Sequence, residues 1–195
     1  MTPQEKEILH FVDLRTGKRV ASHLSIGQGP GEVLYPGLVN MSEKVRVADL
    51  MSFTTNRQDR IAVCYNWTSL IDILDEKGHL CRRLQGPLNF TSLFKESRNG
   101  RVVSARSVRG NRWDAYVISA DCGDEFWVTY SGKSEEDADY GNGIRDILSF
   151  GWDGALHTHY QLDKSISSFA VDKAGRKIYA ICDQPDVHLE EFVNH

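Results

Sequence analysis

The sequence predicts an all-β fold made of short antiparallel strands, and three observations support this prediction. Short apolar segments recur along the whole chain and are bounded by Gly, Asp, Asn or Pro, which is typical of strands between tight turns. An Asp followed closely by a Gly returns between several of these segments, and this combination favours turns. The best helical candidate, residues 134–140, has no apolar face to bury.

The N-terminal part of the chain predicts a hairpin followed by a glycine-rich connection. Residues 8–15 and 19–26 are strand-like and flank a turn at Thr16-Gly17-Lys18. The segment Gly27-Gln28-Gly29-Pro30-Gly31-Glu32-Val33-Leu34-Tyr35-Pro36 follows. Because its glycines and prolines disfavour both a helix and a central strand, we expect a tight, exposed connection that carries the chain from one small sheet to the next.

The clearest strand pattern lies in the middle of the chain. Residues 60–65, 70–74 and 79–84 are strand-like and are joined by short turns, so they predict an antiparallel meander. The other predicted strands lie at 45–50, in a hairpin over 93–108, and at 114–120, 125–131, 144–150, 156–162, 167–171, 177–181 and 187–193. The charged segment 133–140 is predicted to be an exposed loop.

Length, charge and composition limit the classes of function. A chain of 195 residues with 41% hydrophobic residues is long enough for one domain with a real core. A net charge of −4 argues against broad binding of nucleic acid. No apolar run approaches the ~20 residues that span a bilayer, and the polar opening 1–7 is not a signal peptide.

The four cysteines do not form a recognisable framework. Cys64, Cys81, Cys122 and Cys182 lie far apart in sequence, with no Cys-x-x-Cys pair and no metal-ligand spacing. We therefore predict buried free thiols rather than disulfides or a redox site.

Several collinear pieces of the chain carry a resemblance to a known family. They are Gly27-Gln28-Gly29-Pro30-Gly31-Glu32 after a Gly-Lys hairpin, Arg60-Ile61-Ala62-Val63, Ile71-Asp72-Ile73-Leu74-Asp75, Leu84-Gln85-Gly86-Pro87, Tyr130-Ser131-Gly132-Lys133, Phe150-Gly151-Trp152-Asp153-Gly154 and Lys177-Ile178-Tyr179-Ala180-Ile181. In this order they resemble TolB-like six-bladed β-propellers, relatives of NHL-repeat proteins. The resemblance covers the chain from about residue 8 to 193 and implies a propeller-like arrangement of antiparallel meanders.

The length of the chain departs from this family. At ~40–50 residues per four-stranded blade, 195 residues make about four blades rather than six. We therefore expect a single partial propeller over residues 1–195, incomplete at its N-terminal side. Open sheet edges would then favour a homodimer. The resemblance also implies a periplasmic or cell-surface location if an export signal precedes the chain.

An arginine cluster is the best candidate for a functional surface. Five arginines fall within residues 98–112, and Trp113 follows them. We predict that Arg101, Arg106, Arg109, Arg112 and Trp113 form a surface for an anionic partner. The alternative is that these arginines are the solvated edges of a hairpin.

Three other motifs have stronger structural interpretations. His157 and His159 lie on one face of a predicted strand, but a metal site would need a third ligand, so exposed strand histidines are favoured. Residues 27–31 lack the helix and donors of a phosphate loop. The acidic run 134–139 lacks EF-hand spacing, so a solvated loop is favoured over a calcium site.

The sequence favours a non-catalytic module that binds a small molecule or a protein, and not nucleic acid. No catalytic, cofactor-binding or metal-binding residue is assigned, and no cofactor is expected. The alternative is an enzyme, namely a metal-assisted hydrolase or lyase acting at the axial channel of a complete propeller, as the resemblance allows.

Overall fold

The computed structural model describes residues 7–12, 16, 18–26, 32–33, 38–40, 46–48, 51–56, 58–99, 102–172, 174 and 177–193. Every regular element among them is a β-strand, which confirms the all-β prediction. The strands are β1 (Glu7–Val12), β2 (Arg19–Ile26), β3 (Glu32–Val33), β4 (Leu38–Asn40), β5 (Arg46–Ala48), β6 (Met51–Thr55), β7 (Arg60–Tyr65), β8 (Leu70–Asp75), β9 (Leu80–Gln85), β10 (Phe94–Asn99), β11 (Val102–Ser107), β12 (Trp113–Cys122), β13 (Glu125–Ser134), β14 (Ile144–Gly151), β15 (Leu156–Val171), β16 (Lys177–Cys182) and β17 (His188–Val193).

Strands β6 to β9 form a four-stranded antiparallel meander whose central strands, β7 and β8, are buried on both faces. Because side chains alternate along a strand, a strand buried on one face only would show every second residue exposed. Instead, Ala62, Val63, Cys64 and Tyr65 are all buried in succession along β7. The central strands of this sheet therefore lie between two packed layers.

Strands β12 to β17 form a six-stranded antiparallel sheet that consists of two successive meanders. Residues Leu156 to Gln161 and Ile166 of β15 pair with β14, and residues Ile166 to Val171 pair with β16. The register with β14 shifts between Gln161 and Ile166. Thus β15 closes one meander and opens the next.

The cores lie between successive meanders. Along β13, Phe126 and Val128 belong to a cluster shared with β7 and β8, whereas the intervening Trp127 belongs to a second cluster shared with β15 and β16. Alternation of side chains along one strand thus directs its two faces into two different cores. Meanders that pack in series on both faces make an all-β, propeller-like fold, as predicted.

The predicted turn between β8 and β9 uses the expected chemistry. The Asp75 carboxylate accepts hydrogen bonds from the backbone N–H groups of Lys77 and His79, each at 2.8 Å. The hydrogen bond from the His79 backbone is the main cause that lowers the pKa of Asp75. Gly78 adopts φ of 80°, a left-handed conformation that glycine accepts without strain.

Some predictions differ from the structure or fall outside its described part. The glycine-rich connection lies outside the described residues apart from Glu32 and Val33, which pair in parallel with β2. Strand β6 was not predicted, and the two strands predicted at 156–162 and 167–171 form the single strand β15. All four cysteines are free, and Cys64 and Cys182 are buried as predicted, but Cys122 is only partly buried and Cys81 is exposed on β9.

The charged loop is confirmed as a series of turns between β13 and β14, but it begins at residue 135, because Lys133 and the buried Ser134 still belong to β13. Among the described residues, no helix is long and apolar enough to span a membrane.

Candidate ligand-binding site around Arg112

The segment that carries the candidate site is fixed by backbone contacts at the start of β12. The Trp113 N–H donates to Ser92 Oγ at 2.9 Å, and the Ser92 hydroxyl donates back to the Trp113 carbonyl at 3.1 Å. The Arg112 carbonyl accepts a hydrogen bond from the Glu135 N–H at 2.9 Å. These contacts hold Arg112 between the end of the 108–111 turn and the charged loop.

The guanidinium of Arg112 lies among one carboxylate and two aromatic rings. Its Nε and one terminal nitrogen donate to the two oxygens of Asp114 at 3.2 and 3.4 Å. Its central carbon is 5.7 Å from the ring centroid of Trp67 and 5.9 Å from that of Tyr140. These distances fall within the range of cation–π attraction. The side chain of Arg112 is 36% exposed, so a ligand can reach it.

Tyr140 connects the charged loop to this cluster. Its hydroxyl donates to Asp114 Oδ2 at 2.7 Å. Burial, followed by the hydrogen bond to Asp114, raises the pKa of Tyr140 to about 12. Tyr140 therefore stays protonated at neutral pH and keeps the Asp114 carboxylate oriented toward Arg112.

A surface pocket of about 200 Å³ adjoins the cluster. Asp114 and Tyr140 form one side of it, and Lys133 brings a second positive charge. The Lys133 ammonium lies 2.7 Å from Asp139 Oδ2, and this hydrogen bond is the main cause that lowers the pKa of Asp139. The remaining lining residues are small or apolar: Val117, Ser131, Gly141, Gly143 and Ile144. The pocket thus combines charged groups with apolar side chains in its lining.

Gly143 packs the charged loop closely against β15. It adopts φ of +80°, and a Cβ added there would lie 2.5 Å from the Cβ of Ser165. Both the conformation and the contact require glycine at this position. The loop that supplies Tyr140 is therefore in direct contact with the irregular part of β15.

Two carboxylates of the charged loop accept hydrogen bonds from the backbone of the protein. Asp137 Oδ2 accepts a hydrogen bond from the Ser134 N–H at 2.6 Å, and Glu135 Oε1 accepts one from the Gly110 N–H. These bonds fix the loop against the turn before Arg112. The interpretation of residues 134–139 as a loop rather than an EF-hand thus agrees with the geometry.

The predicted arginine surface falls only partly within the described residues and stays a prediction. Arg101 lies outside the described residues, and Arg106 is described only as a backbone position in β11. Arg109 is exposed in the turn before β12. Trp113 stacks on Phe90 with centroids 5.0 Å apart and rings inclined by 25°. Trp113 therefore has a different aromatic partner from those that flank Arg112.

Sequence reasoning found Arg112 but missed its partners. Trp67 comes from the turn between β7 and β8, and Tyr140 from the end of the charged loop. Asp114, two residues after Arg112, was the one visible signal, because residues i and i+2 of a strand share a face. The pairing of distant aromatic residues with Arg112 depends on how the meanders pack.

The two histidines singled out in the sequence each pair with a carboxylate. His157 Nδ1 lies 2.7 Å from Glu125 Oε1, and His159 Nε2 lies 2.7 Å from Asp146 Oδ1. Their side chains are 42% and 53% exposed. They are exposed strand histidines, as predicted, and each has its own acidic partner.

No protein-family model matches this chain, and no curated protein matches it significantly. Among solved structures, the chain is similar to Kluyvelomyces marxianus Hsv2, with TM-score 0.37, 12% identity, and coverage of 97% of this chain and 55% of that one. It is also similar to the Neurospora crassa Pan2 WD40 domain, with TM-score 0.36, 13% identity, and coverage of 94% and 56%. The chain thus spans little more than half the length of either protein.

A third similar structure is apo AztD from Citrobacter koseri, with TM-score 0.25, 12% identity, and coverage of 98% of this chain and 81% of that one. All three TM-scores lie below 0.5, so no ligand, partner or activity is transferred from these proteins.

Proposed function

We propose that this chain is part of a TolB-like, NHL-related propeller and acts as a non-catalytic binding module. In this proposal the surface around Arg112 takes a carboxylate group of an acidic protein segment. The observation that carries the proposal is the Arg112 guanidinium, which is reachable by solvent yet held in place by Asp114, Trp67 and Tyr140.

A guanidinium in this position suits a carboxylate ligand. Its hydrogen bonds to Asp114 involve two of the five N–H groups that a guanidinium carries. They are also long for charge-assisted bonds, which are usually ~2.7–2.9 Å. A ligand carboxylate can therefore add a shorter, stronger contact without displacing Asp114.

The flanking aromatic rings reduce the cost of binding. A long, exposed arginine normally loses side-chain freedom when a ligand binds, at about 0.5–1.5 kcal/mol for each immobilised side chain. Trp67 and Tyr140 already restrict Arg112 from two sides. The ligand thus meets a guanidinium that is ordered in advance.

Asp114 gives the site its preference for a peptide. A purely anionic ligand would be repelled by this carboxylate, whereas a peptide presents backbone N–H donors beside its acidic side chains. The pocket next to Asp114 also holds the apolar side chains Val117 and Ile144. An acidic peptide segment with a neighbouring apolar residue fits these features best.

We expect Arg112→Ala to weaken binding of an acidic peptide by about 10- to 100-fold, because a hydrogen bond to a charged group contributes about 1.5–3 kcal/mol. The probe is a fluorescein-labelled peptide with alternating Glu and Leu residues, titrated with the protein and followed by fluorescence anisotropy. Arg112→Lys should restore only part of the affinity, since lysine cannot form a bidentate contact.

Arg82→Ala is the matched control, because Arg82 is an exposed arginine on the other sheet, in β9. It should bind the peptide like the unchanged protein. Equal loss of affinity in both variants would mean non-specific charge attraction and would contradict the proposal. The same conclusion would follow if the unchanged protein did not bind the peptide.

Pairing of two copies through open sheet edges stays a prediction. Strand β17 is the last strand of the six-stranded sheet and exposes Leu189 and Val193. Sedimentation velocity of the chain over a range of concentrations measures this directly.

A further inference from the structure

A thiol, an imidazole and a carboxylate converge on one face of the last hairpin. Cys182 ends β16 and lies directly opposite His188 at the start of β17. Glu190 follows two residues later and shares the face of His188, because side chains of a strand alternate. Two paired strands thus bring together three residues that are good metal ligands.

Two distances among the three ligand atoms match a tetrahedral metal site. Cys182 Sγ lies 3.6 Å from Glu190 Oε2, and His188 Nε2 lies 3.2 Å from the same oxygen. All three atoms lie within 4.8 Å of one another. Around Zn²⁺, bonds of about 2.0 Å to N and O and about 2.3 Å to S at tetrahedral angles separate S from O by about 3.5 Å and N from O by about 3.3 Å.

The Nδ1 nitrogen of His188 makes the hydrogen bond that is typical of a metal-bound histidine. Nδ1 lies 2.6 Å from the backbone carbonyl of Asp186. A carbonyl oxygen only accepts hydrogen bonds, so Nδ1 carries the proton and donates. Nε2 is then the nitrogen that faces Cys182 and Glu190. Ligating histidines commonly donate their other N–H to a carbonyl in this way.

We propose that Cys182, His188 and Glu190 bind a divalent transition metal of the zinc class. The thiol gives its proton to solvent and ligates as a thiolate, His188 ligates as the neutral imidazole through Nε2, and Glu190 ligates as the carboxylate. A water molecule or a partner group supplies the fourth ligand. The mixed sulfur, nitrogen and oxygen set favours zinc over the harder magnesium and calcium ions.

The sulfur is sheltered, whereas the other two ligands are reachable. Cys182 is fully buried in the core shared by β13, β15 and β16. The side chains of His188 and Glu190 are partly exposed, which gives an ion a path to the site. Burial is the first cause that raises the pKa of the Cys182 thiol.

Lys164 competes with the metal for Glu190. Its ammonium donates to both carboxylate oxygens, at 2.8 and 2.7 Å. A metal bound to Oε2 would leave only Oε1 for Lys164. Lys164 would then keep one of its two hydrogen bonds to Glu190. The positive charge of Lys164 also repels a cation. Lys164 therefore limits the affinity of the site, and its removal should strengthen metal binding.

The test is titration of the 195-residue chain with Zn²⁺ by calorimetry and with Co²⁺ by absorption spectroscopy. We expect one ion per chain, and a thiolate-to-cobalt charge-transfer band with Co²⁺. His188→Gln and Glu190→Gln should each weaken Zn²⁺ binding by at least about 10-fold, as expected when one of three ligands is lost. Cys182→Ser should abolish the charge-transfer band. Lys164→Met should tighten binding by about 10-fold.

Two substitutions on the same sheet are matched controls. His159→Gln removes a histidine that also pairs with a carboxylate, and Cys122→Ser removes a partly buried thiol. Both should leave Zn²⁺ affinity unchanged. Because His188 and Glu190 are partly exposed, their variants should keep the circular dichroism of the unchanged chain even if Cys182→Ser does not fold.

Three results would overturn the site: no stoichiometric Zn²⁺ binding by the unchanged chain, unchanged affinity in His188→Gln, or a charge-transfer band that survives Cys182→Ser. The site shares no residue with the Arg112 surface. Failure of the peptide experiment would therefore leave the metal titration unaffected, and the reverse also holds.

Discussion

Replacing Phe126 with alanine is expected to lower the free energy of unfolding by about 3–5 kcal/mol, the cost of truncating a buried aromatic residue. Phe126 is fully buried in the core between the meander of β6–β9 and the sheet that begins at β12. Its ring stacks on Phe150 with centroids 5.4 Å apart and lies 5.0 Å from the ring of Trp152. The substitution therefore removes ring contacts within its own sheet together with packing in the core that this sheet shares with β7 and β8.

Urea denaturation followed by tryptophan fluorescence measures this change. Phe53→Ala is the matched control, because Phe53 is 45% exposed on β6, and we expect it to cost less than about 1 kcal/mol. If the two variants lost equal stability, the core between the meanders would not contribute as described. Loss of cooperativity in Phe126→Ala would instead indicate that the meanders unfold separately.

Replacing Arg83 with methionine is expected to destabilise the chain by about 2–3 kcal/mol, because it leaves a buried carboxylate without its cation. Asp72 is buried on β8, and Arg83 on β9 donates to its two oxygens at 2.6 and 2.7 Å. The Tyr65 hydroxyl donates to the same carboxylate at 3.0 Å. This expected loss of stability is smaller than is usual when one partner of a buried ion pair is removed, because the Arg83 side chain is 40% exposed.

A second substitution separates the buried charge from the lost packing. In Asp72→Asn/Arg83→Met the carboxylate is replaced by a neutral amide, and most of the lost stability should return. The double-mutant cycle, measured by urea denaturation at pH 7, should give a coupling of about 1–3 kcal/mol. Additive losses in the double variant would show that Arg83 acts through packing alone.

The fold followed from sequence wherever strands were apolar and turns carried Asp and Gly. The meander from Arg60 to Gln85 was predicted with small boundary errors because each turn had its own local chemistry. Strand β6 was missed because Met51-Ser52-Phe53-Thr54-Thr55 is largely polar and, among the described strands, lies at the end of its sheet, where it pairs with β7. The continuity of β15 was missed because Asp163-Lys164-Ser165 resembles a turn, whereas the residues on either side of it pair with β14 and β16 and keep the strand continuous.

The sites were harder to predict than the strands. Arg112 stood within a visible arginine cluster, but its partners Trp67 and Tyr140 come from distant turns. The proposed metal ligands were not recognised in the sequence, because Cys182 and His188 are six positions apart and become neighbours only across a hairpin. Cross-strand register, rather than sequence spacing, is the signal that would have found them.

The close contact between Gly143 and Ser165 has a consequence for both proposed sites. Ser165 adjoins Lys164, which contacts Glu190 in the last hairpin, while Gly143 belongs to the loop that presents Tyr140 to Arg112. One short stretch of backbone thus lies next to both places. Thermodynamic reciprocity then requires that any ion-dependent change in peptide affinity equal the peptide-dependent change in ion affinity.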